Sequence, residues 1–341
     1  MKTQIPLYKV HWTEDDVNAV TQVIRRGMYW TGGPENQVFE NAVASYVGRK
    51  HGVSFNSGTS ALTALLLAHG VGPGDEVIVP AFTYPSTADA VKFAGATPVY
   101  ADIEEETYGL DIDDAEKRIT EKTRAVIAVH VYGLPCFHIR ELCVMAKTHG
   151  LLLIEDAAEA LGAATDSERV GSFGDAAFFS FSGGKVVSTG EGGMAVTDSE
   201  EVERKLREVR QSRSWRMSSI QAALGLSQFK RLEHLIEGRR MNAWYLSTHL
   251  PEIEGVRPPP TPWGRNPTYQ FYTVRVERGR DRLKALLEEK GVTTKVYFEP
   301  LSSLPTTTRV AGEVLTLPMY PELTPKEMNY ILECVREFAE V

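Results

Sequence analysis

The sequence lacks the features that mark metal-binding and disulfide-bonded proteins. Its 341 residues include three cysteines, Cys136, Cys143 and Cys334, which are far apart in the chain. They do not have the paired spacing of a zinc site. We therefore predict buried free thiols and no metal site.

Long apolar runs are also missing. The longest, near 125–131 and 151–154, have the length of strands rather than of membrane spans. Residues 1–16 lack the apolar core of a signal peptide. A net charge of −8 gives no excess of basic residues for nucleic acid. These absences predict a cytoplasmic protein that binds neither a membrane nor nucleic acid.

What the chain does contain is a regular alternation of strand and helix patterns. With 43% hydrophobic and 24% charged residues, it is long enough for two domains. Short apolar segments alternate with helix-length stretches, at 76–80, 97–101, 125–130 and 151–154. This alternation predicts an α/β fold with a mostly parallel sheet covered on both faces. Further along, we expect one helix from 219 to about 250.

The pattern changes after the prolines at 258–260, where the chain reads as a smaller α+β lobe. We place a large domain at 1–240, with the N-terminal segment included, and a small C-terminal domain at 241–341. Ligands of parallel α/β sheets bind at the carboxyl ends of the strands, so motifs that follow strands must be considered together.

The first such motif is the small-residue turn at 56–62, which opens a helix. Free N–H groups at a helix N-terminus, together with the hydroxyls of Thr59 and Ser60, can hold a phosphate near Gly58. An ordinary helix N-cap is the alternative interpretation.

The second motif places Asp156 directly after the apolar segment 151–154. A carboxylate at this position can hydrogen-bond a protonated ring nitrogen and keep a pyridinium positive. The alternative is that Asp156 only caps the next helix.

The third motif places Lys185 after the aromatic segment 176–181 and a pair of glycines. Burial there would favour the neutral amine that forms a Schiff base. The alternatives are an exposed loop lysine or one that binds a nucleotide phosphate. A fourth segment, 80–86, offers Phe82 and Tyr84 for stacking on a flat ring, although either aromatic could equally fill the core.

In their order along the chain, these motifs resemble the DegT/DnrJ/EryC1/StrS family of pyridoxal-phosphate-dependent sugar aminotransferases. The resemblance extends from about residue 30 to residue 324. It is carried by Ser57-Gly-Thr-Ser-Ala-Leu, Pro80-Ala-Phe-Thr-Tyr, Glu155-Asp-Ala-Ala-Glu-Ala, and Phe179-Ser-Phe with Lys185 and Thr189-Gly-Glu-Gly-Gly.

The resemblance implies the type I fold of pyridoxal 5'-phosphate (PLP) enzymes, similar to aspartate aminotransferase, and a homodimer with active sites at the subunit interface. It makes Lys185 the catalytic residue that carries the internal aldimine. The cofactor-binding residues that it implies are Asp156 at the ring nitrogen, Glu159 near the phenolic oxygen, Tyr84 stacking on the ring, and Gly58, Thr59, Ser60 and Ser180 around the phosphate.

The implied reaction transfers an amino group from an amino acid, usually glutamate, to a nucleotide-linked keto-sugar by way of pyridoxamine phosphate. A dehydratase branch of the family carries His at the position of Lys185, which argues against that activity here. Another type I reaction on an amino acid and a non-catalytic PLP-binding regulator remain alternatives. The resemblance does not extend to one contact, because Ser214 stands where the family has an Asn that reaches the partner subunit.

Overall fold

The computed structural model describes residues 4–339. Residues 1–3 and 340–341, at the outer ends of the two predicted domains, lie outside the described residues. Most of the described chain forms a large α/β lobe, and the C-terminal part forms a smaller lobe with its own sheet.

A seven-stranded sheet organises the large lobe, with the strand order β1-β9-β8-β5-β4-β2-β3. Its strands are β1 (His51–Phe55), β2 (Glu76–Pro80), β3 (Thr97–Ala101), β4 (Thr123–Val129), β5 (Leu152–Asp156), β8 (Ala176–Ser180) and β9 (Gly193–Thr197). The other strands are short and form two three-stranded sheets: β6 (Ala164–Thr165) and β7 (Glu168–Arg169) with β11 (Arg265–Asn266), and β10 (Val256–Arg257) with β12 (Tyr272–Val276) and β13 (Val314–Leu317).

The helices of the large lobe are α1 (Glu14–Arg26), α2 (Pro34–Tyr46), α3 (Gly58–Ala68), α4 (Pro85–Phe93), α5 (Ile112–Lys117), α6 (Ile139–Thr148), α7 (Glu200–Ser212) and α8 (Ser219–Phe229). The long helix α9 (Leu232–His249) leads to the smaller lobe, which contains α10 (Arg280–Glu289), α11 (Pro305–Glu313) and α12 (Pro325–Ala339).

The direction of the strands decides where the motifs meet. Strands β2, β3, β4, β5 and β8 run parallel, and β9 is antiparallel to both of its neighbours, β8 and β1. Strand β1 therefore runs in the same direction as β8. The carboxyl ends of all strands except β9 lie along one edge of the sheet, and the segments that follow them converge there.

The apolar segments form a sheet that is buried on both faces. In β2, Val77 and Val79 pack into one hydrophobic cluster and Ile78 into another, because successive side chains of a strand point to opposite faces. Unbroken apolar runs are the pattern that such a covered parallel sheet requires.

One expected helix differs in the structure. The stretch from 219 to about 250 is two helices, α8 and α9, separated at Lys230 and Arg231. Arg231 there donates to Asp16 of α1 at 2.8 Å. Helix α8 packs on α1 and α2, whereas α9 continues to the smaller lobe, so the chain changes direction between them.

The smaller lobe has a hydrophobic cluster of its own. Along α9, Ile236 packs into a hydrophobic cluster of the large lobe, whereas Ala243 packs into the cluster of the smaller lobe. The predicted boundary at 240 lies between these two residues. Near the N-terminus, Ile5 contacts the smaller lobe. Ile5 bridges Val292 and is 1% exposed, because its apolar side chain fills the second cluster. The domain limits themselves remain a prediction.

Candidate active site

A cavity of about 440 Å³ lies at the carboxyl edge of the large sheet. Its lining comes from the segments after β1, β2, β4, β5 and β8, joined by residues of the smaller lobe and by Tyr8. Of the predicted site residues, all but Ser60 line this cavity: Gly58, Thr59, Tyr84, Asp156, Glu159, Ser180 and Lys185.

The N-terminus of α3 forms one wall of the cavity. Ser57 is the N-cap, and its hydroxyl accepts a hydrogen bond from the Ser60 N–H at 3.1 Å. The Ser60 hydroxyl donates to Asn56 at 2.8 Å, so it completes the cap and does not line the cavity. Ser57 lines the cavity instead. The first N–H groups of a helix have no acceptor within it, so this wall can bind an anion.

Close packing brings this wall against the end of β8. A Cβ added at Gly58 would lie 3.2 Å from the Cβ of Ser180 and 3.3 Å from the Phe178 ring. At Gly193, an added Cβ would lie 2.2 Å from the Ser57 carbonyl oxygen. Only glycine allows β9 to pass this close to the turn, so the turn and the Ser180 hydroxyl meet at one place.

Asp156 is the last residue of β5 and is 5% exposed. Its carboxylate accepts hydrogen bonds from the Thr87 hydroxyl at 2.8 Å and the Ala158 N–H at 3.1 Å. Burial raises the pKa of Asp156 to about 6, against the lowering effect of these two hydrogen bonds. Asp156 forms none of the ion pairs found within residues 4–339, and both of its hydrogen-bond donors are neutral. The positive charge of Lys185 favours its ionised form more weakly than these two hydrogen bonds.

Lys185 extends into the cavity from the loop after β8, and its side chain is 15% exposed. Its Nζ lies 3.3 Å from Oε1 of Glu159, whose other oxygen accepts from the Tyr132 N–H at 2.9 Å. The ring of Phe271 lies 5.9 Å from Nζ. The amine is therefore held on a fixed carboxylate inside the cavity.

The structure distinguishes the two aromatics after β2. Tyr84 lines the cavity and is 61% exposed, with its ring centroid 6.4 Å from that of Phe298. Phe82 is completely buried among Tyr108, Tyr132 and Phe298. Tyr84 is thus the aromatic available to a bound ring, and Phe82 belongs to the core.

Sequence reasoning missed several residues of the cavity. Thr87 binds Asp156 but stands one helical turn after Tyr84, in no recognisable motif. Tyr8, Lys295 and Phe271 come from distant parts of the chain, and no local pattern predicts their position. Only Ser57 had a signal, because it belongs to the small-residue turn at 56–62 that opens the helix.

Ser214, the departure from the family pattern, lies outside the cavity. It adopts a left-handed conformation, with φ of 56°, and lines a separate surface depression together with Thr31, Arg216, Ser218 and Gln221.

The sequence profile of the DegT/DnrJ/EryC1/StrS aminotransferase family matches residues 11–336. The chain belongs to this family. A relative from Acidithiobacillus ferrooxidans, UDP-N-acetyl-3-dehydro-alpha-D-glucosamine 3-aminotransferase, is 36% identical over 329 residues, or 89% of this chain and 88% of that protein.

Solved structures of DegT/DnrJ/EryC1/StrS-like proteins confirm the type I fold. The crystal structure of S. venezuelae DesV in complex with a ketimine intermediate has a TM-score of 0.93 and 33% identity, and the match covers 99% of each chain. The PLP form of Spr1654 from Streptococcus pneumoniae has a TM-score of 0.92 and 27% identity, again over 99% of each chain.

The cavity has the donors and acceptors that PLP needs. A buried carboxylate without a cationic partner, that of Asp156, suits a protonated ring nitrogen. The α3 N-terminus and the Ser180 hydroxyl suit a phosphate, and Lys185 supplies a primary amine in the same cavity.

Residues 4–339 also lack two features that would indicate other functions. None of their helices is long and apolar enough to cross a membrane. They also contain no group of three or more His, Cys, Asp or Glu side chains that could hold a metal ion. Cys136 and Cys334 are buried free thiols, as predicted, whereas the free thiol of Cys143 is only half-buried.

Proposed function

We propose that this PLP-dependent aminotransferase converts a nucleotide-linked keto-sugar into an amino-sugar, with an amino acid such as glutamate as the donor. The observation that carries the proposal is the convergence of Lys185, Asp156 and the α3 N-terminus in one cavity. The substrate class is supported by the relative from A. ferrooxidans, whose name specifies a UDP-linked 3-dehydro sugar.

When bound, PLP supplies an electron sink for the bond that breaks at the substrate carbon. Asp156 would hold the proton on the ring nitrogen through its carboxylate. Burial has raised the pKa of Asp156 to about 6. The protonated ring nitrogen, as a cation beside this carboxylate, would therefore also stabilise the ionised form of Asp156.

Lys185 would hold the cofactor through Nζ, and as a free amine it would carry protons. Its Nζ lies inside the cavity, where it would take a proton from the substrate carbon and return one. Glu159, 3.3 Å away, keeps the amine oriented within the cavity.

The smaller lobe and the N-terminal segment contribute the outer part of the cavity, where the sugar and its nucleotide would bind. Lys295 lies over the Tyr297 ring, 4.4 Å from its centroid, and both residues line the cavity. The Lys295 ammonium would attract the anionic groups of both substrates, since PLP enzymes of this type bind the donor and the acceptor in turn.

We further propose that the enzyme is a cytoplasmic homodimer. Large apolar side chains are exposed on α1 and the turn after it, including Ile24, Met28, Tyr29 and Trp30. An exposed patch of this kind is typical of a protein interface, and a second copy of this chain would cover it.

A two-step assay tests the proposed function. The purified protein, loaded with PLP, is first mixed with glutamate, and we expect the visible absorbance of the lysine-bound cofactor to change to that of the aminated form. Nucleotide-linked keto-sugars are then added in turn, and amination is followed by mass. Conversion in the first step excludes a non-catalytic regulator. Release of ammonia or loss of a sugar hydroxyl, without transfer of an amino group, would contradict the proposal.

A further inference from the structure

One segment of the chain, residues 268–271, lies between the smaller lobe and the candidate active site. The Thr268 N–H donates to the Gly133 carbonyl at 3.0 Å, and the Thr268 hydroxyl donates to the Glu159 carbonyl at 3.1 Å. The Phe271 N–H donates to the Tyr132 carbonyl at 3.2 Å. The segment therefore contacts the backbone that carries Glu159 and the turn after β4.

Gln270, in the middle of this segment, binds the backbone on both sides of Lys185. Its Nε2 donates to the Gly184 carbonyl at 2.7 Å, and its Oε1 accepts from the Val186 N–H at 3.1 Å. The Gln270 side chain is buried, at 3% exposure. One amide group thus fixes the residue before Lys185 and the residue after it.

Gln270 is itself held firmly. Arg239 of α9 is 3% exposed and donates to the carbonyls of Tyr269 at 3.1 Å and of Gln270 at 3.3 Å. The same Nη1 donates to the Met319 carbonyl at 3.1 Å. The Arg239 guanidinium joins the 268–271 segment to the smaller lobe, so the amide of Gln270 has a rigid support.

The loop that carries Lys185 needs such a contact. Gly183 and Gly184 precede the lysine, and glycine leaves the backbone free to adopt many conformations. The Lys185 side chain adds four rotatable bonds, so a small change at its Cα moves Nζ. A misplacement of about 1 Å at a reacting group can cost about a hundredfold in rate.

We propose that Gln270 is a positioning residue for Lys185: its side-chain amide fixes the peptide groups at 184 and 186 and thereby directs Nζ into the cavity. This inference rests on the proposed role of Lys185. If Gln270 only satisfied buried backbone groups, its loss would lower stability and leave the reactivity of the lysine unchanged.

A second glutamine provides a matched control. Gln228 of α8 is 2% exposed, and its Oε1 accepts from the Ser188 N–H at 2.9 Å, three residues after Lys185. Gln270→Leu and Gln228→Leu both remove a buried amide from the same loop. Only the first removes contacts to the residues adjacent to the lysine.

The first readout is hydrogen exchange of the backbone amides in the cofactor-free protein. We expect Gln270→Leu to accelerate exchange at Val186, and Gln228→Leu to accelerate it at Ser188 but not at Val186. Unchanged exchange at Val186 in Gln270→Leu would overturn the proposal whatever the reaction of the enzyme proves to be.

The second readout uses the PLP-loaded enzyme. In Gln270→Leu, kcat should fall about tenfold or more while KM for the amino donor changes little, because geometry and not binding is impaired. The pH dependence of the visible absorbance of the lysine-bound cofactor should also move from that of the wild type. Gln228→Leu should lower the melting temperature but leave kcat and the pH dependence of the absorbance near those of the wild type. Equal kcat and an equal pH profile in Gln270→Leu would contradict the positioning role.

Gln270→Glu covers the case in which the leucine variant does not fold. Its carboxyl group can still accept from Val186, but it can donate to Gly184 only when protonated. Relative to the wild type, its kcat should therefore rise as the pH falls, and a parallel pH profile would count against the proposal. The proposed function fails separately, if the wild type shows no lysine-bound absorbance or no amino transfer.

Discussion

Two adjacent carboxylates at the end of β5, Glu155 and Asp156, lie in opposite surroundings. Successive side chains of a strand point to opposite faces of the sheet, so one carboxylate faces the packed interior and the other faces the cavity. Both are almost completely buried. The comparison separates a carboxylate that holds the fold together from one that is available to a ligand.

The Glu155 carboxylate is surrounded by donors. It accepts from the N–H groups of Gly171 at 2.8 Å, Phe173 at 2.7 Å and Gly174 at 2.9 Å, and it lies 3.1 Å from Nε2 of His130. Burial opposes its ionisation, but these hydrogen bonds, first that of His130, hold the pKa of Glu155 below its usual value. Arg49 lies 3.9 Å away and adds positive charge.

Asp156 has fewer donors, none of them charged, and burial raises its pKa to about 6. Burial alone therefore does not mark a functional carboxylate. Glu155 is the more buried of the two and already has all its partners within the chain. Asp156 keeps an unfavourable charge that a cationic ligand would stabilise, which is typical of a binding site.

The largest effect is expected on the cavity side, for Lys185→Ala. Turnover should fall by at least about a thousandfold, because no other amine of the described cavity is held on Glu159. The visible absorbance of the lysine-bound cofactor should also disappear. Spectroscopy and a single-turnover assay measure both effects, with the exposed Lys92→Ala as the control. An unchanged spectrum would remove Lys185 from the site.

Asp156→Asn should produce effects of opposite sign on activity and stability. We expect kcat to fall about a hundredfold or more, because an amide does not stabilise a protonated ring nitrogen. The folded-state pKa of Asp156 is raised from 3.8 to about 6, so its ionisation destabilises the cofactor-free protein as the pH rises through this range.

The Asn variant removes this cost. At pH 8 the cofactor-free variant should be more stable than the wild type, by up to about 3 kcal/mol at 1.4 kcal/mol per pKa unit. Near pH 4 the two should be almost equally stable. Urea unfolding at both pH values measures the difference, and a variant that is less stable at pH 8 would contradict this account of Asp156.

Glu155→Gln should act on stability and much less on catalysis. The glutamine amide has one oxygen that accepts and one NH2 group that only donates. Some of the N–H donors around Glu155 would therefore be left without partners, at a cost of about 3 kcal/mol. The pKa of Glu155 is lowered in the folded state, so the ionised Glu155 carboxylate stabilises the wild-type protein above the usual glutamate pKa. This stabilisation is lost as the pH falls below that value. Urea unfolding at pH 7 and pH 4, with kcat per folded molecule, tests both statements. A kcat loss as large as that of Asp156→Asn would abolish the distinction between the two residues.

The smallest effect is expected for Ser60→Ala. The Ser60 hydroxyl binds Asn56 and does not line the cavity, so affinity for PLP should change by less than about twofold. Thr59→Ala removes a hydroxyl from the cavity wall and should weaken affinity by about tenfold, the value of one hydrogen bond to a charged group. Fluorescence titration with PLP compares the two variants. Equal losses would place Ser60 at the phosphate after all.

Most of the large sheet could be predicted from sequence, because its strands are uninterrupted apolar runs between helix-length segments. The segments at 76–80 and 97–101 form β2 and β3, with the expected limits. Strand β1 was not predicted, since His51–Phe55 lacks the uninterrupted apolar run of the other strands. The division of 219–250 into two helices was not visible either, because it depends on what α8 and α9 pack against.

The sequence by itself determined the fold class and the chemistry of the main site residues. Motifs after successive strands must meet at one edge of a parallel sheet, and the order of those motifs identifies the family. Local patterns carry this information because it depends on residues that are neighbours in the chain.

Only the tertiary structure decided which of these residues face the cavity. It directed Phe82 into the core and Ser60 into the helix cap, and it brought Thr87 to Asp156 and Gln270 to the backbone beside Lys185. Gln270 follows Lys185 by 85 positions, and nothing in either local sequence indicates the contact. Such contacts depend on how separate elements pack, and packing is a property of the whole chain.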